Sequence, residues 1–227
     1  MGLSQSSPPV FLSCQGILFD MDGILISSLG SVERSWTAWA RMRGIEPERA
    51  LSVAHGRRAI ETVTFLRPDL DSEAELKVIE DLEIADNEGL QVLPGVLDLL
   101  AALPDARWTV VTSATERLAR VRMAAGGVPV PERLVTANQV TRGKPHPEPF
   151  LAGAALLGFK PEACVVFEDS SSGAQAGRAA GCTVVATTFS HPVETLAAAH
   201  YLVRDLTAVH AESSAEGLLL RVQPLDR

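Results

Sequence analysis

Gln15-Gly16-Ile17-Leu18-Phe19-Asp20-Met21-Asp22-Gly23 is a short apolar run that ends in two carboxylates one residue apart and a glycine. An uncharged run of this length, bounded by turn-forming residues, suits a strand buried on both faces. Similar runs occur at 108–112 (WTVVT), 163–167 (ACVVF) and 183–186 (TVVA), with weaker ones at 134–136 and 201–203. Helical patterns separate them, at 94–103, 115–125, 147–157 and 173–180. The last two end before Gly158 and Gly181, as helices with a glycine C-cap do. Strands alternating with helices imply an α/β fold with a Rossmann-like core and a mostly parallel sheet.

One stretch breaks the alternation. Residues 27–90 hold no good strand and several helical patterns, at 32–42, 59–66 and 73–83. Val32, Trp36, Trp39 and Ala40 fall on one helical face. An inserted α-helical cap domain is expected at 27–90, on a catalytic core made of 1–26 and 91–227. Val92-Leu93-Pro94-Gly95 would be the return hinge.

The chain has 227 residues, 46% of them hydrophobic, and a formal net charge of −8. Such a balance disfavours nucleic acid and anionic membrane surfaces as partners. No run approaches the roughly 18 apolar residues of a membrane span. The start, MGLSQSSPPV, has no secretion-signal pattern and reads as a disordered lead-in. MGLSQS fits a myristoylation pattern, which is not expected to be read in a cytoplasmic small-molecule enzyme. Cys14, Cys164 and Cys182 lack metal-ligand spacing and are expected to be buried thiols.

Four features follow strand ends: Asp20-Met21-Asp22-Gly23, Thr112-Ser113, Gly143-Lys144-Pro145 and Glu168-Asp169. In an open parallel sheet ligands bind at the C-terminal strand ends, so all four converge on one crevice. Asp20, Asp22 and Asp169, brought together, repel one another and need a cation. Mg2+ takes oxygen ligands and commonly combines a few carboxylates with phosphate. Lys144, the Ser113 hydroxyl and the Ala114 backbone N–H are set to hold a phosphoryl group. Phosphoryl transfer depends mostly on positioning and electrostatics. Asp20, ending the strand, is the candidate nucleophile. Asp22 is the candidate acid and base, and Gly23 permits close backbone approach.

FDMDG, the TS of VVTSAT, GKPHPEP and FEDSSSG, in this order, resemble the motifs of the haloacid dehalogenase superfamily, in its branch with a helical cap after the first motif. The resemblance covers roughly residues 16–188. It implies Asp20 as nucleophile and Asp22 as acid/base, whose backbone carbonyl also meets Mg2+. It further implies Asp169 as metal ligand, Glu168 supporting the metal shell, and Ser113 and Lys144 on the phosphoryl group. VTANQVTRGKPHPEPFLAGAALLGF, with SVERSWTAWA and AHGRRAI, resembles the superfamily's sugar- and polyol-phosphate phosphatases, such as the 2-deoxyglucose-6-phosphate and glycerol-phosphate enzymes. Ile24 stands where the superfamily usually has Thr, and Ser27 where it often has Asp.

His55, Arg57 and Arg58 lie in the insert as a solvated loop or as groups lowered onto substrate. Arg58 is preferred over Arg57 for an anionic or polyol contact. His146 is read as structural, Trp36 and Trp39 as cap core, and Ser170-Ser171-Ser172 as a helix cap. His191, His200 and His210 receive no role. The expected activity is Mg2+-dependent hydrolysis of a small phosphorylated metabolite, a sugar or polyol phosphate, by a monomer or homodimer. The rivals are a β-phosphoglucomutase-like phosphomutase, a phosphoglycolate phosphatase and a non-catalytic metabolite-binding protein.

Overall fold

The computed structural model describes residues 8–54 and 58–226. The expectations placed on His55, Arg57 and the MGLSQS pattern lie outside them.

The strand that opened the reading is β2 (Gly16–Phe19), entered through β1 (Val10–Cys14). After β3 (Ile26–Ser27) come four helices: α1 (Leu29–Met42), α2 (Pro47–Ala54), α3 (Ala59–Leu66) and α4 (Ser72–Ala85). β4 (Gln91–Val92) pairs antiparallel with β3 and returns the chain to the core beside its point of departure. Then follow α5 (Val96–Ala101), β5 (Trp108–Val110), α6 (Glu116–Gly126), α7 (Glu148–Leu157), β6 (Cys164–Glu168), α8 (Ser171–Ala179), β7 (Thr183–Thr187) and β8 (Tyr201–Val203). β9 (Val209–Ser214) and β10 (Gly217–Val222) close the chain.

The central sheet is parallel, in the order β5-β2-β6-β7-β8. Alternate residues of its strands face opposite layers, as a two-residue period requires. Ile17, Phe19, Val165, Phe167, Val185 and Val203 join one core with Leu99, Met123 and Leu220. Leu18, Val166, Val184 and Leu202 join the other with Phe150 and Ala174. Phe19 stacks on Phe167 with centroids 5.2 Å apart, a pairing worth about 0.5–1.5 kcal/mol beyond its buried area. The weak 134–136 candidate is a single parallel bridge, Val135 to Val111, beside β5. The insert has its own core around Trp36, Trp39, Val63 and Ile79. Trp39 Nε1 and Arg43 Nε both donate to Glu75 Oε2 at 2.7 Å, tying α1 to α4.

Two differences from the sequence reading stand out. Val10, assigned to a disordered lead-in, already lies in a strand, and β1, β10 and β9 form a separate antiparallel sheet that the reading lacked. α2 was also not read. Cys14, Cys164 and Cys182 are buried free thiols, and burial pushes their pKa values up to about 12, 11 and 12. Among the described residues no helix is long and apolar enough to cross a membrane.

Candidate active site

β5, β2 and β6 are neighbours, so their C-terminal ends deliver Thr112-Ser113, Asp20 and Glu168-Asp169 to one place. Asp20 N–H donates to Phe167 O (2.9 Å) and Val111 N–H to Phe19 O (2.8 Å), fixing the three ends in register. Lys144 comes from the loop before α7 and is buried. Its ammonium uses all three protons: on Asp20 Oδ1 at 2.7 Å, Glu168 Oε1 at 2.7 Å and Val111 O at 3.1 Å.

Carboxylate oxygens of Asp20, Glu168 and Asp169 lie within 4.8 Å of one another, and all three residues are buried. Burial pushes Asp20 up to about 7, against the pull of Lys144. Burial, then the charges of Glu168 and Asp20, raises Asp169 well above the usual carboxylate range. Burial also works against the charge on Glu168. There the Lys144 ammonium and donors from Lys144 and Ser170 outweigh it, and Glu168 lies below its ordinary value. Three carboxylates around one ammonium leave excess negative charge in a dry site, and every donor atom is oxygen. That set fits a hard divalent cation.

The expected trio was Asp20, Asp22 and Asp169; the trio that gathers has Glu168 in place of Asp22. Asp22 is diverted by Arg122 of α6, whose Nη1 donates to Asp22 Oδ2 at 3.0 Å and Oδ1 at 3.1 Å. Glu168 also differs from a free ligand. Its Oε2 accepts from the backbone N–H of Asp169 (2.8 Å), that of Ser170 (2.8 Å) and the Ser170 hydroxyl (2.9 Å). Ser170 in turn accepts from Gly173 N–H as the N-cap of α8, as expected.

Gly23 has φ +80°, and a Cβ there would stand 1.9 Å from Asp169 Oδ2. Only glycine lets the loop after Asp22 pass this close to the acidic cluster. Ile24 is buried with Met21 and Leu25 beneath the loop. Ser113 and Ala114 line the same cavity as Asp20 and Lys144. The Ala114 N–H, expected on phosphate, donates here to Thr112 Oγ1 at 3.1 Å.

Residues of the inserted helices, among them Trp36, Arg58, Ile79 and Glu83, line the cavity too. Arg58 lines it, but its guanidinium donates to Val140 O (3.1 Å), Thr141 O (2.9 Å) and Glu61 Oε1 (2.7 Å). α4 lies against α6: Arg117 Nη1 meets Glu80 Oε2 at 2.6 Å and Asp81 Oδ1 at 2.7 Å, and Thr115 donates to Glu80. Arg122 Nη2 is 3.4 Å from Glu83 Oε1. Sequence reasoning assigned no role to several cavity residues, among them Arg122, Glu83, Glu80, Ser190 and His191. Ser190 and His191 arrive on the loop after β7, where Ser190 donates to Asp169. His146 accepts from Glu148 N–H at 3.1 Å at the start of α7, a structural role as read.

The haloacid dehalogenase-like hydrolase family model matches residues 14–181. The chain belongs to that family of hydrolases. This hydrolase is 44% identical over 180 residues to hexitol phosphatase A of Escherichia coli strain K12, covering 77% of the chain and 83% of that protein. It is 34% identical over 203 residues to glycerol-1-phosphate phosphohydrolase 2 of Saccharomyces cerevisiae, covering 83% and 80%. Among solved structures, CbbY from Rhodobacter sphaeroides in complex with phosphate superposes with a TM-score of 0.73 at 23% identity, covering 85% of this chain and 95% of that one. That likeness confirms the capped Rossmann-like fold.

Proposed function

We propose that this hydrolase is a Mg2+-dependent phosphatase of a small sugar or polyol phosphate, acting through an aspartyl-phosphate on Asp20. The observation that carries the proposal is the buried meeting of Asp20, Lys144, Glu168 and Asp169 at adjacent parallel strand ends. Asp22 and Ser113 line the cavity beside them. Relatives acting on hexitol and glycerol phosphates support the substrate class.

An Asp20 carboxylate oxygen attacks phosphorus and the bond from phosphorus to the alcohol oxygen breaks. Asp22 gives its proton to that departing oxygen. Water then attacks phosphorus, Asp22 takes the water proton, the Asp20–phosphorus bond breaks, and inorganic phosphate leaves. Lys144 and the Ser113 hydroxyl hold phosphoryl oxygens throughout. Mg2+ would be held by Asp20, Asp169 and the Asp22 backbone carbonyl, with Glu168 behind them, and would supply positive charge to the phosphoryl oxygens. The insert at 27–90 serves as a lid that excludes bulk water, with Arg58 among its contacts to the core. We place the enzyme in the cytoplasm as a monomer or homodimer, a state that light scattering reports.

A phosphate-release screen over hexitol, glycerol, 2-deoxyglucose and glycolate phosphates, with and without Mg2+, tests this reading. Release from sugar or polyol phosphates only with Mg2+ is expected, and Asp20→Asn abolishes it. Normal turnover by Asp20→Asn refutes the nucleophile. Phosphoryl relocation on the sugar without free phosphate marks a phosphomutase instead.

A further inference from the structure

Arg122 is unusual for an arginine. Its side chain is 4% exposed, it sits on the apolar stripe of α6 with Leu118, Ala119 and Met123, and it faces the cavity. Its Nη1 touches both oxygens of Asp22, at 3.0 and 3.1 Å. Its other neighbour is Glu83, 3.4 Å from Nη2, on cap helix α4 and itself 7% exposed. Among the described residues Nε and Nη2 make no hydrogen bond. A buried guanidinium is held where its counter-charges stand, and here those are Asp22 of the core and Glu83 of α4.

We infer that Arg122 is the positioning residue for Asp22: it holds the Asp22 carboxylate on the leaving-group side and out of the Asp20–Glu168–Asp169 cluster, and Glu83 of the cap anchors it from the other side. The inference rests on the proposed phosphatase reading. Asp20 and Asp22 are separated by one residue, so nothing in the backbone alone prevents the second carboxylate from turning to the cation site. A carboxylate bound there neither delivers a proton to the departing oxygen nor takes one from water. The opposing charge of Arg122 settles the choice, because a charge-assisted contact to both oxygens of the half-buried Asp22 fixes where they point. Glu83 makes the arrangement depend on the cap. With α4 in place the guanidinium is drawn between two carboxylates; with α4 lifted it has Asp22 alone.

A double-mutant cycle on the full chain tests this. General acid–base help is worth roughly 10²–10⁴-fold, so Arg122→Met is expected to lower kcat on an alkyl phosphate by about 10²-fold. KM should change little, and Mg2+ should bind as tightly as in wild type or more tightly. Arg122→Met added to Asp22→Asn should cost almost nothing further, because the two act as one unit. With p-nitrophenyl phosphate, whose leaving group needs no proton, Arg122→Met should give a burst of nitrophenolate near one per site, followed by slow turnover. Glu83→Gln keeps the core intact if Arg122→Met folds poorly, and should lower kcat about tenfold with the same burst. Multiplicative losses in the double variant, or unchanged kcat in Glu83→Gln, overturn the inference. Activity in Asp20→Asn would instead sink the underlying phosphatase reading, whatever Arg122 does.

Discussion

Replacing Lys144 by methionine keeps the length of the side chain and removes its charge. Every proton of the ammonium is in use, on Asp20, Glu168 and Val111 O, and the residue is buried. The variant strands two carboxylates in a dry site beside a third, Asp169. Removing one partner of a buried ion pair costs about 3–5 kcal/mol. For a chain of this size each kcal/mol moves Tm by about 2–4 °C, so metal-free Lys144→Met should melt about 6–20 °C below wild type near pH 8. Near pH 5 the carboxylates accept protons instead, since burial already raises Asp20 to about 7 and Asp169 well above the usual carboxylate range. The loss should then be smaller, because a neutral carboxyl is cheaper to leave buried without its partner than a carboxylate. Thermal unfolding by circular dichroism at both pH values, with and without Mg2+, reads the effect. A drop under about 2 °C near pH 8 without metal, or the same drop at both pH values, would refute the electrostatic account of the cluster.

Asp20 and Asp169 both have folded pKa values above their unfolded ones. The folded chain therefore binds extra protons, and stability of the metal-free protein should fall as pH rises from about 4 through about 7. The stabilisation given by Mg2+ should be larger near pH 8 than near pH 5, and equal Tm gains at both would contradict this. Gly173→Ala places a Cβ 1.7 Å from Glu168 Oε1, so the start of α8 must move; turnover should fall more than about tenfold, with a lower Tm in the same melts. Arg117→Ala removes the exposed tie to Glu80 and Asp81. Solvent screens such exposed pairs strongly, so KM should rise less than about fivefold with kcat unchanged in steady-state assays.

The residues at the strand ends were legible because each motif is contiguous and follows an apolar run whose end aims it at the crevice. Asp20, Ser113, Lys144, Glu168 and Asp169 meet for that reason. What the sequence did not yield has physical causes too. β1 and β9 are half-buried edge strands, VFLSC alternating between half-buried and exposed positions and VHAESS mostly exposed, so no sustained apolar signal marks them. α2 (PERALSVA) buries only Ala50 and Ala54, so no stripe of large apolar residues marks it, whereas α3 of the same length carries Ile60, Val63 and Leu66. Arg122 is hidden among the arginines of 115–125, because Arg117 and Arg120 take exposed faces and only Arg122 turns inward. Leu118, Arg122 and Ala119, Met123 share one stripe at i+4, and a charged residue on it requires a buried counter-charge. Glu83 carries the same signal, one turn beyond Ile79. Ser190 and His191 had no local signal, since a loop after a strand shows its destination only once the sheet order is known.

The two-residue pairing of Ile26 with Val92 and Ser27 with Gln91 has a practical corollary for engineering. A segment whose entry and exit lie side by side makes no topological demand on the scaffold it leaves. Grafting a foreign helical segment between these strands should therefore redirect which alcohol is admitted while leaving the bond-breaking groups where they stand. Three partnerships would need to travel with the graft: a carboxylate for Arg122, acidic partners for Arg117 and Thr115 at the start of α6, and one cation to grip the loop at 140–141.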